Sequence, residues 1–434
     1  MITFEPANLR DELSEALRLI AERSNNLLGV ADFSSDLIDI NDPDFDPEEF
    51  DEVITRDTSL SVDPPGSDGS FDTTYGSFIE MLYEARWAKI DPGWGLCLTP
   101  RRALVPVSPQ SANSSVLARS LADRGYAIDQ TIDGRAVRVR LVSGLTVFGL
   151  CAALSGEYSD DFLPSVSHAH FYIEIFRPLE INPADPSKPT SPAFEPEEAH
   201  SVAAAFLFEL NLALGVELSE ISISFTEEYA DEEAVDAKLK SVQLGALLTG
   251  PGMGEVLRHY NEGVLASAAA DAILAFAKVF EYVSATIVRD RLINRARQKL
   301  MSPRARRPDS SFIQELQELF EAERANRQDR AAITLTARVC CDAEELRLLA
   351  PECCRKLRQL ATSANERDRE AALENFADCL VSTRNVFSHA KANFEPTGSE
   401  CPTEQLDQFR ICLRVAAQQA IHYFYGLHPD KRVL

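Results

Sequence analysis

The stretch that decides the fold of the rear half of this chain is AALENFADCLVSTRNVFSH, residues 371–389. Its apolar residues recur at intervals of three and four, which is the spacing of one face of an amphipathic α-helix. Arg384 falls on that same face, where an apolar residue is expected. A guanidinium stays charged, so its burial is costly unless a partner compensates the charge. The apolar face is formed by Leu373, Phe376, Ala377, Leu380 and Phe387.

Three chemically useful side chains lie close together at the end of this helix: Arg384, Asn385 and His389. Asn385 and His389 are four positions apart, so they share a helix face. Arginine can hold a phosphate through two hydrogen bonds, and histidine can transfer a proton near neutral pH. The pattern therefore predicts a site that binds a phosphate and moves a proton. The structural alternative is an arginine paired with a neighbouring helix and a histidine on the surface.

Residues 255–434 predict an all-α domain. They contain almost no strand pattern, and their apolar residues keep helical spacing throughout. Asp342 followed by Glu345 is a capping signal for one of the helices. The helical segments are predicted over 255–300, 310–340, 342–361, 365–389 and 403–426.

Residues 73–250 predict a mixed α/β or β-rich domain with a sensor or regulatory role. A helix is predicted over 197–214, between Pro196 and Gly215. Alternation of apolar and polar residues, or an apolar run of strand length, predicts strands. These strands are expected at 134–144, 145–154, 168–176 and 221–225. The fold class of the whole chain is therefore α+β multidomain.

The first 72 residues predict an N-terminal helix over 1–31 and an acidic linker over 32–72. The linker contains fourteen acidic residues against one basic residue, Arg56. Such a composition is typical of a solvated linker, and the alternative is a nucleic-acid mimic that shields a basic surface. Residues 1–254 hold 17 basic against 43 acidic residues, whereas residues 255–434 hold 26 against 25. This asymmetry has two interpretations: a regulatory partner that binds the acidic front half, or docking of 32–72 on a basic surface of the rear.

Targeting signals are not apparent in the sequence. The N-terminus lacks the pattern of a secretory signal, and no apolar run is long enough to span a membrane. The nine cysteines are odd in number and contain no CxxC pair. A reduced cytoplasmic protein that does not interact with membranes is expected.

Two patterns compatible with metal ligands are interpreted structurally. One strand places His168, His170, Tyr172 and Glu174 on one face, and a surface strand is favoured there. The vicinal pairs Cys340-Cys341 and Cys353-Cys354 are interpreted as buried small side chains, because adjacent residues on a helix point apart. No metal site and no cofactor are predicted.

The rear half resembles the HEPN superfamily of ribonucleases and nucleotide-binding domains. The resemblance rests on Arg384, Asn385 and His389, which match the family's RNxxxH motif at the end of a helix. The segment LAFAKVFEYVSATI (274–287) is similar to the long first helix of bacterial members, and LRVAAQQAIHYFYGL (413–427) to their closing helix. The resemblance covers residues 255–434.

The resemblance implies a homodimer in which two motif copies face each other across one composite site. Family members often cut RNA without metal, and many act in toxin–antitoxin or antiphage systems. His389 would transfer the proton, Arg384 would position the phosphate, and Asn385 would orient the site. Glu281 is the candidate for a polar residue that some members use on the first long helix.

A basic ridge in the rear half is a candidate RNA-binding surface. Residues 289–307 contain eight basic residues and one acid, Asp290. Arg291, Arg295 and Lys299 recur every four residues and so share a helix face, which could neutralise several phosphates. The alternative is a solvated helix end.

These observations together predict a metal-independent endoribonuclease with a composite dimeric RNxxxH site, in a bacterial toxin or antiphage-defence role. Two alternatives stay open. The first is a non-catalytic HEPN-type module that binds nucleotides or mediates dimerisation. The second is a regulatory protein, such as an inhibitor or scaffold whose acidic front binds a basic partner.

Overall fold

The computed structural model describes most of the chain in two compact units, residues 1–247 and residues 248–434. An antiparallel sheet characterises the front unit, and the described part of the rear unit is helical, so the expected α+β class is confirmed at this level. None of the helices in the described part combines the length and apolar composition needed to cross a membrane. The described residues are 54–62, 71–85, 87–90, 96–144, 171–178, 181–182, 185–189, 192–220, 243–325, 329–388 and 398–432, with single positions between 9 and 18 and at 146, 147, 150, 237, 239 and 240.

The front unit is built on antiparallel strands. The strands are β1 (Ser59–Val62), β2 (Phe71–Thr74), β3 (Lys89–Ile90), β4 (Cys97–Leu98), β5 (Arg102–Pro109), β6 (Ala127–Ile132), β7 (Arg135–Ser143), β8 (Phe171–Phe176), β9 (Ile181–Asn182), β10 (Asp185–Pro189) and β11 (Leu218–Ser219). The main sheet has the strand order β3, β4, β5, β8, β7, β6, and β11 also pairs with β5. Two short pairs of strands are formed by β1 with β2 and by β9 with β10.

The longer helices described in the front unit are α1 (Tyr75–Ala85), α2 (Ala112–Asp123) and α3 (Pro196–Leu214). Two of them, α2 and α3, have sequence signals at their ends. Ser111 caps α2, because its hydroxyl accepts a hydrogen bond from the Ser114 amide. Gly215 ends α3 with φ at 62°, a left-handed conformation that glycine adopts without steric cost. The helix predicted over 197–214 is thereby confirmed.

Several strand expectations for the front unit need correction. Val147 and Leu150 are helical and fully buried, and the Leu150 amide donates to the Thr146 carbonyl at 2.9 Å. In a short apolar run, the spacing of apolar residues cannot distinguish a buried strand from a buried helix. The strand predicted at 145–154 is wrong for this reason. The strand ending at Phe176 is not on the surface, because β8 lies between β5 and β7 and its Glu174 is 3% exposed.

Two further expectations for the front concern segments that are described only in part. Residues 59–62, placed by composition in the acidic linker, form β1, and Leu60 and Val62 are buried in a cluster with Phe78 of α1. The described positions between Leu9 and Arg18 are helical. His168, His170 and the strand expected at 221–225 lie outside the described residues.

The described part of the rear unit consists of helices. They are α4 (Met253–Leu265), α5 (Ala269–Leu300), α6 (Ser310–Ala325), α7 (Asp329–Cys340), α8 (Ala343–Leu346), α9 (Arg355–Arg358), α10 (Glu366–Ser388) and α11 (Leu406–Gly426). Two of these helices, α8 and α9, are single turns.

The core of the rear unit surrounds α5, which packs against α4, α7, α10 and α11. Phe376 of α10 lies between two other aromatic rings. Its centroid is 6.3 Å from that of Phe280 on α5 and 6.2 Å from that of Phe409 on α11. All three side chains are fully buried. Because each buried aromatic removes a large apolar area from water, this cluster holds the three helices together.

The continuous helix predicted over 342–361 is wrong. Only α8 and α9 form, separated by a segment that contains Pro351. Proline disfavours a helical conformation at the preceding residue and removes a backbone donor, so the helical pattern is interrupted there. The cap at Asp342 is confirmed, since its carboxylate accepts from the Glu344 amide at 2.8 Å. Of the single helix predicted over 310–340, the structure describes α6 and α7, and residues 326–328 between them lie outside the described part of the chain.

Substitution of Gly263 by alanine tests the packing of α4 on α5. A Cβ at this position would lie 2.6 Å from Cε1 of Phe276, whose ring is buried against Tyr260. Alanine is better than glycine in a helix by about 1 kcal/mol, but overpacking costs about 1–3 kcal/mol. We therefore predict that Gly263→Ala lowers the free energy of unfolding of the rear unit, measured by urea denaturation.

Gly426→Ala is the matched control, because nothing lies within 4 Å of the added Cβ at the end of α11. This variant should be unchanged or slightly more stable. Equal stabilisation by both substitutions would contradict the close approach of α4 and α5.

Candidate functional site

Arg384 lies near the end of α10, where α5 and α7 also pack. It follows the buried residues Phe376, Ala377 and Leu380 on the apolar face of the helix. Its side chain is 19% exposed, so the expectation of a charge on a largely buried face is met. Such a charge requires a compensating partner in the surrounding helices.

Glu281 of α5 provides the main compensation, because its carboxylate forms an ion pair with Nη2 of Arg384. Asn385 adds a hydrogen bond, with Oδ1 accepting from Nη1 of Arg384 at 3.1 Å. The structure thus brings together three of the four residues that the sequence proposed for the catalytic site. The fourth, His389, follows directly after α10 and lies outside the described residues.

Asp329 is a partner of Arg384 that the sequence reasoning missed. It is the first residue of α7, and its Oδ2 lies 3.5 Å from both Nη1 and Nη2 of Arg384. The side chain of Asp329 is 69% exposed, so this contact is weaker than the pair with Glu281. No pattern within 371–389 points to Asp329, because the contact depends on how α7 packs against α10.

Two other ion pairs join α7 to α10. Arg330 pairs with Asp378, with 2.7 Å between Nη2 and Oδ1, and Arg338 pairs with Glu370. The residue numbers rise along α7 as their partners' numbers fall along α10, which is the pattern of antiparallel helices. Arg384 with Asp329 is the third pair of this series, at the end of α10 that leads towards His389.

The basic ridge lies on the last part of α5, and its residues differ in whether they form an ion pair. Arg291 and Arg295 are exposed, and neither forms an ion pair in the described part of the chain. Arg291 acts at longer range, since it adds to the effect of Arg338 in lowering the pKa of Glu370. Lys299 instead pairs with Glu315 of α6, and Arg304 pairs with the same carboxylate at 2.9 Å. Hydrogen bonds from Lys299 and Arg304 lower the pKa of Glu315 to about 2, so it stays ionised at physiological pH.

A cluster of thiols is the one group in the described residues with the composition of a metal site. The Sγ atoms of Cys353, Cys354 and Cys379 all lie within 4.8 Å of one another. The Cys401 thiol lies near enough to lower the pKa of Cys353, but it donates its hydrogen bond to the Pro402 carbonyl at 3.6 Å. Cys353 precedes α9 and is not helical, so the expectation that neighbouring thiols point apart does not apply to this pair.

Because these thiols lie close together, the pKa of Cys353 is shifted in the opposite direction to the pKa values of the other three. The pKa of Cys353 is lowered by the neighbouring Cys354, Cys379 and Cys401 thiols. The pKa values of those three are raised, first by their interaction with Cys353. The other vicinal pair, Cys340 and Cys341, is half-buried and not buried as expected. Desolvation raises the pKa of Cys340 to about 12.

The front unit contains a polar cavity of about 450 Å³ on one face of its sheet. Each arginine of its wall has a carboxylate partner: Glu174 accepts from Arg140 at 2.6 Å and from Arg102 at 2.7 Å. Burial on its own would lower the pKa of Arg102. The negative charges of Glu84 and Glu174 have the larger combined effect, so the pKa is raised. The cavity therefore carries no spare charge that selects an anionic ligand. Its lining includes Ser77, Glu80, Arg101, Arg102, Arg138, Arg140, Thr146 and Glu174.

Comparisons of the chain with family models, with curated proteins and with solved structures find no match. The HEPN resemblance therefore rests on the motif and its helical setting alone.

A double-mutant cycle tests the ion pair between Arg384 and Glu281. We predict that Arg384→Ala and Glu281→Ala each lower the free energy of unfolding, and that the double variant loses less than their sum. The coupling should be about 1–2 kcal/mol, because the arginine is largely buried while the glutamate is 35% exposed and partly screened. Urea denaturation of the four proteins gives the value.

The pair Arg330 and Asp378 is the control cycle, because it joins the same helix α10 to its other neighbour, α7. The Arg330 side chain is 66% exposed, so its coupling should fall below about 1 kcal/mol. A coupling for Arg384 with Glu281 that does not exceed the control value contradicts the assignment.

Proposed function

We propose that the rear unit is a metal-independent endoribonuclease of the HEPN type, acting as a homodimer on RNA in a toxin or antiphage-defence role. In this proposal His389 transfers a proton, Arg384 holds the scissile phosphate, and Asn385 and Glu281 hold Arg384 in position. The reaction is attack of an RNA 2′-hydroxyl on the adjacent phosphate, which needs a base, an acid and stabilisation of negative charge.

The observation that supports this proposal is the contact of Glu281 and Asn385 with the guanidinium of Arg384, five residues before His389 in the sequence. Glu281 lies on the long helix α5, on which the resemblance anticipates a polar residue. An ion pair and a hydrogen bond fix the orientation of Arg384 before substrate arrives. A preorganised charge stabilises a transition state better than a mobile one, because no reorganisation occurs during the reaction.

A phosphate that binds Arg384 would compete with Asp329 for the guanidinium. Two carboxylates surround the guanidinium, so the site has no net positive charge at rest. Because Asp329 is exposed and 3.5 Å away, a phosphate can displace it at little cost, whereas Glu281 is held more closely. Substrate would therefore exchange one anionic partner of Arg384 for another.

A non-catalytic module is the second candidate, and the same ion pair favours it. Arg384 has the partners expected of a structural arginine, joining α10 to α5 and α7. In that case the pair stabilises the helix junction, and the neighbouring surface binds a nucleotide or a second copy of the chain. The two candidates agree on the geometry and differ in whether His389 reacts.

A cleavage assay with the full-length protein tests the catalytic proposal. The protein is incubated with a labelled single-stranded RNA of mixed sequence in buffer without added divalent ions. We predict cleavage that falls about 100-fold or more in His389→Ala and in Arg384→Ala, the scale of losing an acid–base group or a charge-stabilising donor. Initial rates from denaturing gels give the comparison.

Arg330→Ala is the matched control for this assay. It removes an arginine from the contact between α7 and α10. In the described part of the chain, Arg330 forms an ion pair only with Asp378. This variant should cleave at close to the normal rate. Cleavage that persists in Arg384→Ala contradicts the site, and absence of cleavage with intact nucleotide binding favours the non-catalytic module.

The salt dependence of RNA binding tests the basic ridge. Each single-strand phosphate contact contributes about 0.7 to the slope of log affinity against log salt concentration. We predict that the double substitution Arg291→Ala/Arg295→Ala reduces that slope by about 1.4. Fluorescence anisotropy over a series of salt concentrations, with the His389→Ala background to prevent cleavage, measures it.

Lys299→Ala is the control, since the charge of Lys299 is already paired with Glu315. Its slope should stay close to that of the parent protein. If Lys299→Ala reduces the slope and the two arginine substitutions do not, the RNA path assigned to α5 is wrong.

A further inference from the structure

Three cysteines from two separate segments of the rear unit meet at one place. Cys353 and Cys354 come from the turn before α9, and Cys379 from the middle of α10. Cys354 and Cys379 are buried, and Cys353 is half-buried. A fourth thiol, Cys401 on the connection between α10 and α11, is 8% exposed and lies near enough to shift the pKa of Cys353. Three thiols with a fourth beside them have the composition of a tetrahedral metal site.

The separations between the sulfur atoms fit shared coordination and not a disulfide. The Sγ atoms of Cys353 and Cys379 are 3.4 Å apart, and those of Cys353, Cys354 and Cys379 lie within 4.8 Å of one another. A disulfide requires about 2.05 Å. Sulfur atoms around tetrahedral zinc, with Zn–S bonds of about 2.3 Å, are about 3.8 Å apart.

The segments that carry the thiols are held in place by hydrogen bonds. The Cys353 amide donates to Oε1 of Gln405 at 2.9 Å, and the Cys401 amide donates to Oγ1 of Thr383 at 2.8 Å. Thr383 is buried on α10, one turn after Cys379. Groups that orient the ligands in this way are a regular part of metal sites.

The local charge suits a thiolate site. Four thiolates around a divalent cation carry a net charge of minus two, which needs compensation when it is half-buried. Three of the four residues of α9, directly after Cys354, are basic: Arg355, Lys356 and Arg358. Arg358 also pairs with Glu352 at 3.4 Å, so part of its charge is already compensated. Such a basic segment stabilises the negative charge that metal binding creates.

We propose that Cys353, Cys354, Cys379 and Cys401 bind a structural zinc ion. Binding releases the thiol protons, and each sulfur donates an electron pair to the metal with no change in oxidation state. All four positions of tetrahedral zinc are filled by the protein, so none is left for substrate and the ion has no part in catalysis. This site is independent of the proposed ribonuclease activity.

The zinc ion has a definite structural consequence. Cys379 and Cys401 bracket the segment that contains Arg384, Asn385 and His389. The metal therefore closes this segment into a loop and joins its base to the turn before α9. Closing a loop in this way restricts the unfolded chain and stabilises the folded one.

Metal analysis of the full-length protein tests the proposal. Protein produced in zinc-supplemented medium and purified by gel filtration should contain about one zinc per chain by inductively coupled plasma mass spectrometry. Cys379→Ser and Cys401→Ser should lose it. Cys340→Ser, from the vicinal pair outside the cluster, should retain it. X-ray absorption of the parent protein should give four sulfur neighbours at about 2.3 Å.

A conservative variant separates loss of a ligand from loss of the fold. Cys401→His keeps a zinc ligand, so it should retain more zinc than Cys401→Ser while circular dichroism shows equal helix content. Protein that contains no zinc and binds none on titration under reducing conditions overturns the proposal. So does retention of zinc in both serine variants, or a disulfide between Cys353 and Cys379 in a non-reducing peptide map. Because zinc is measured directly, a failure of RNA cleavage leaves this result unaffected.

Discussion

One charged interaction in a largely apolar helix junction underlies the arrangement of the rear unit. Arg384 sits on the buried side of α10, and its charge is tolerated there because Glu281 of α5 pairs with it. This pairing fixes α10 against α5 at the point where the chain leaves the helix for His389. A guanidinium that is held but still partly exposed can serve both as a structural tie and as a phosphate ligand.

Helix α10 combines two kinds of constraint within a few turns. Its first half packs through Phe376 into the aromatic core, and Cys379 and Thr383 of its second half face the thiol cluster. Arg384 and Asn385 follow within the next two turns. The orientation of the motif is thus set by apolar packing on one side and by the cysteine segments on the other. A helix fixed in this way presents its polar end with little freedom, which is the condition for a preorganised site.

The long periodic segments were predictable, and the contacts between them were not. The helix ending at Ser388 and the helix ending before Gly215 follow directly from apolar spacing and end signals. The run at 145–154 is apolar on every side, so its period could not separate strand from helix. The partnership of Asp329 with Arg384 and the convergence of Cys379 with Cys353 and Cys354 depend on tertiary packing between segments that are separated in sequence. Sequence spacing carries no signal for such contacts.

The chemistry of the RNA ends most directly tests the central claim, that the end of α10 carries out metal-independent transesterification. Mass spectrometry of fragments produced by the full-length protein in magnesium-free buffer identifies the groups on both sides of each cut. Attack by the 2′-hydroxyl predicts a 2′,3′-cyclic phosphate on one fragment and a 5′-hydroxyl on the other. Fragments with 5′-phosphates, or RNA that stays intact, contradict this account of Arg384 and His389.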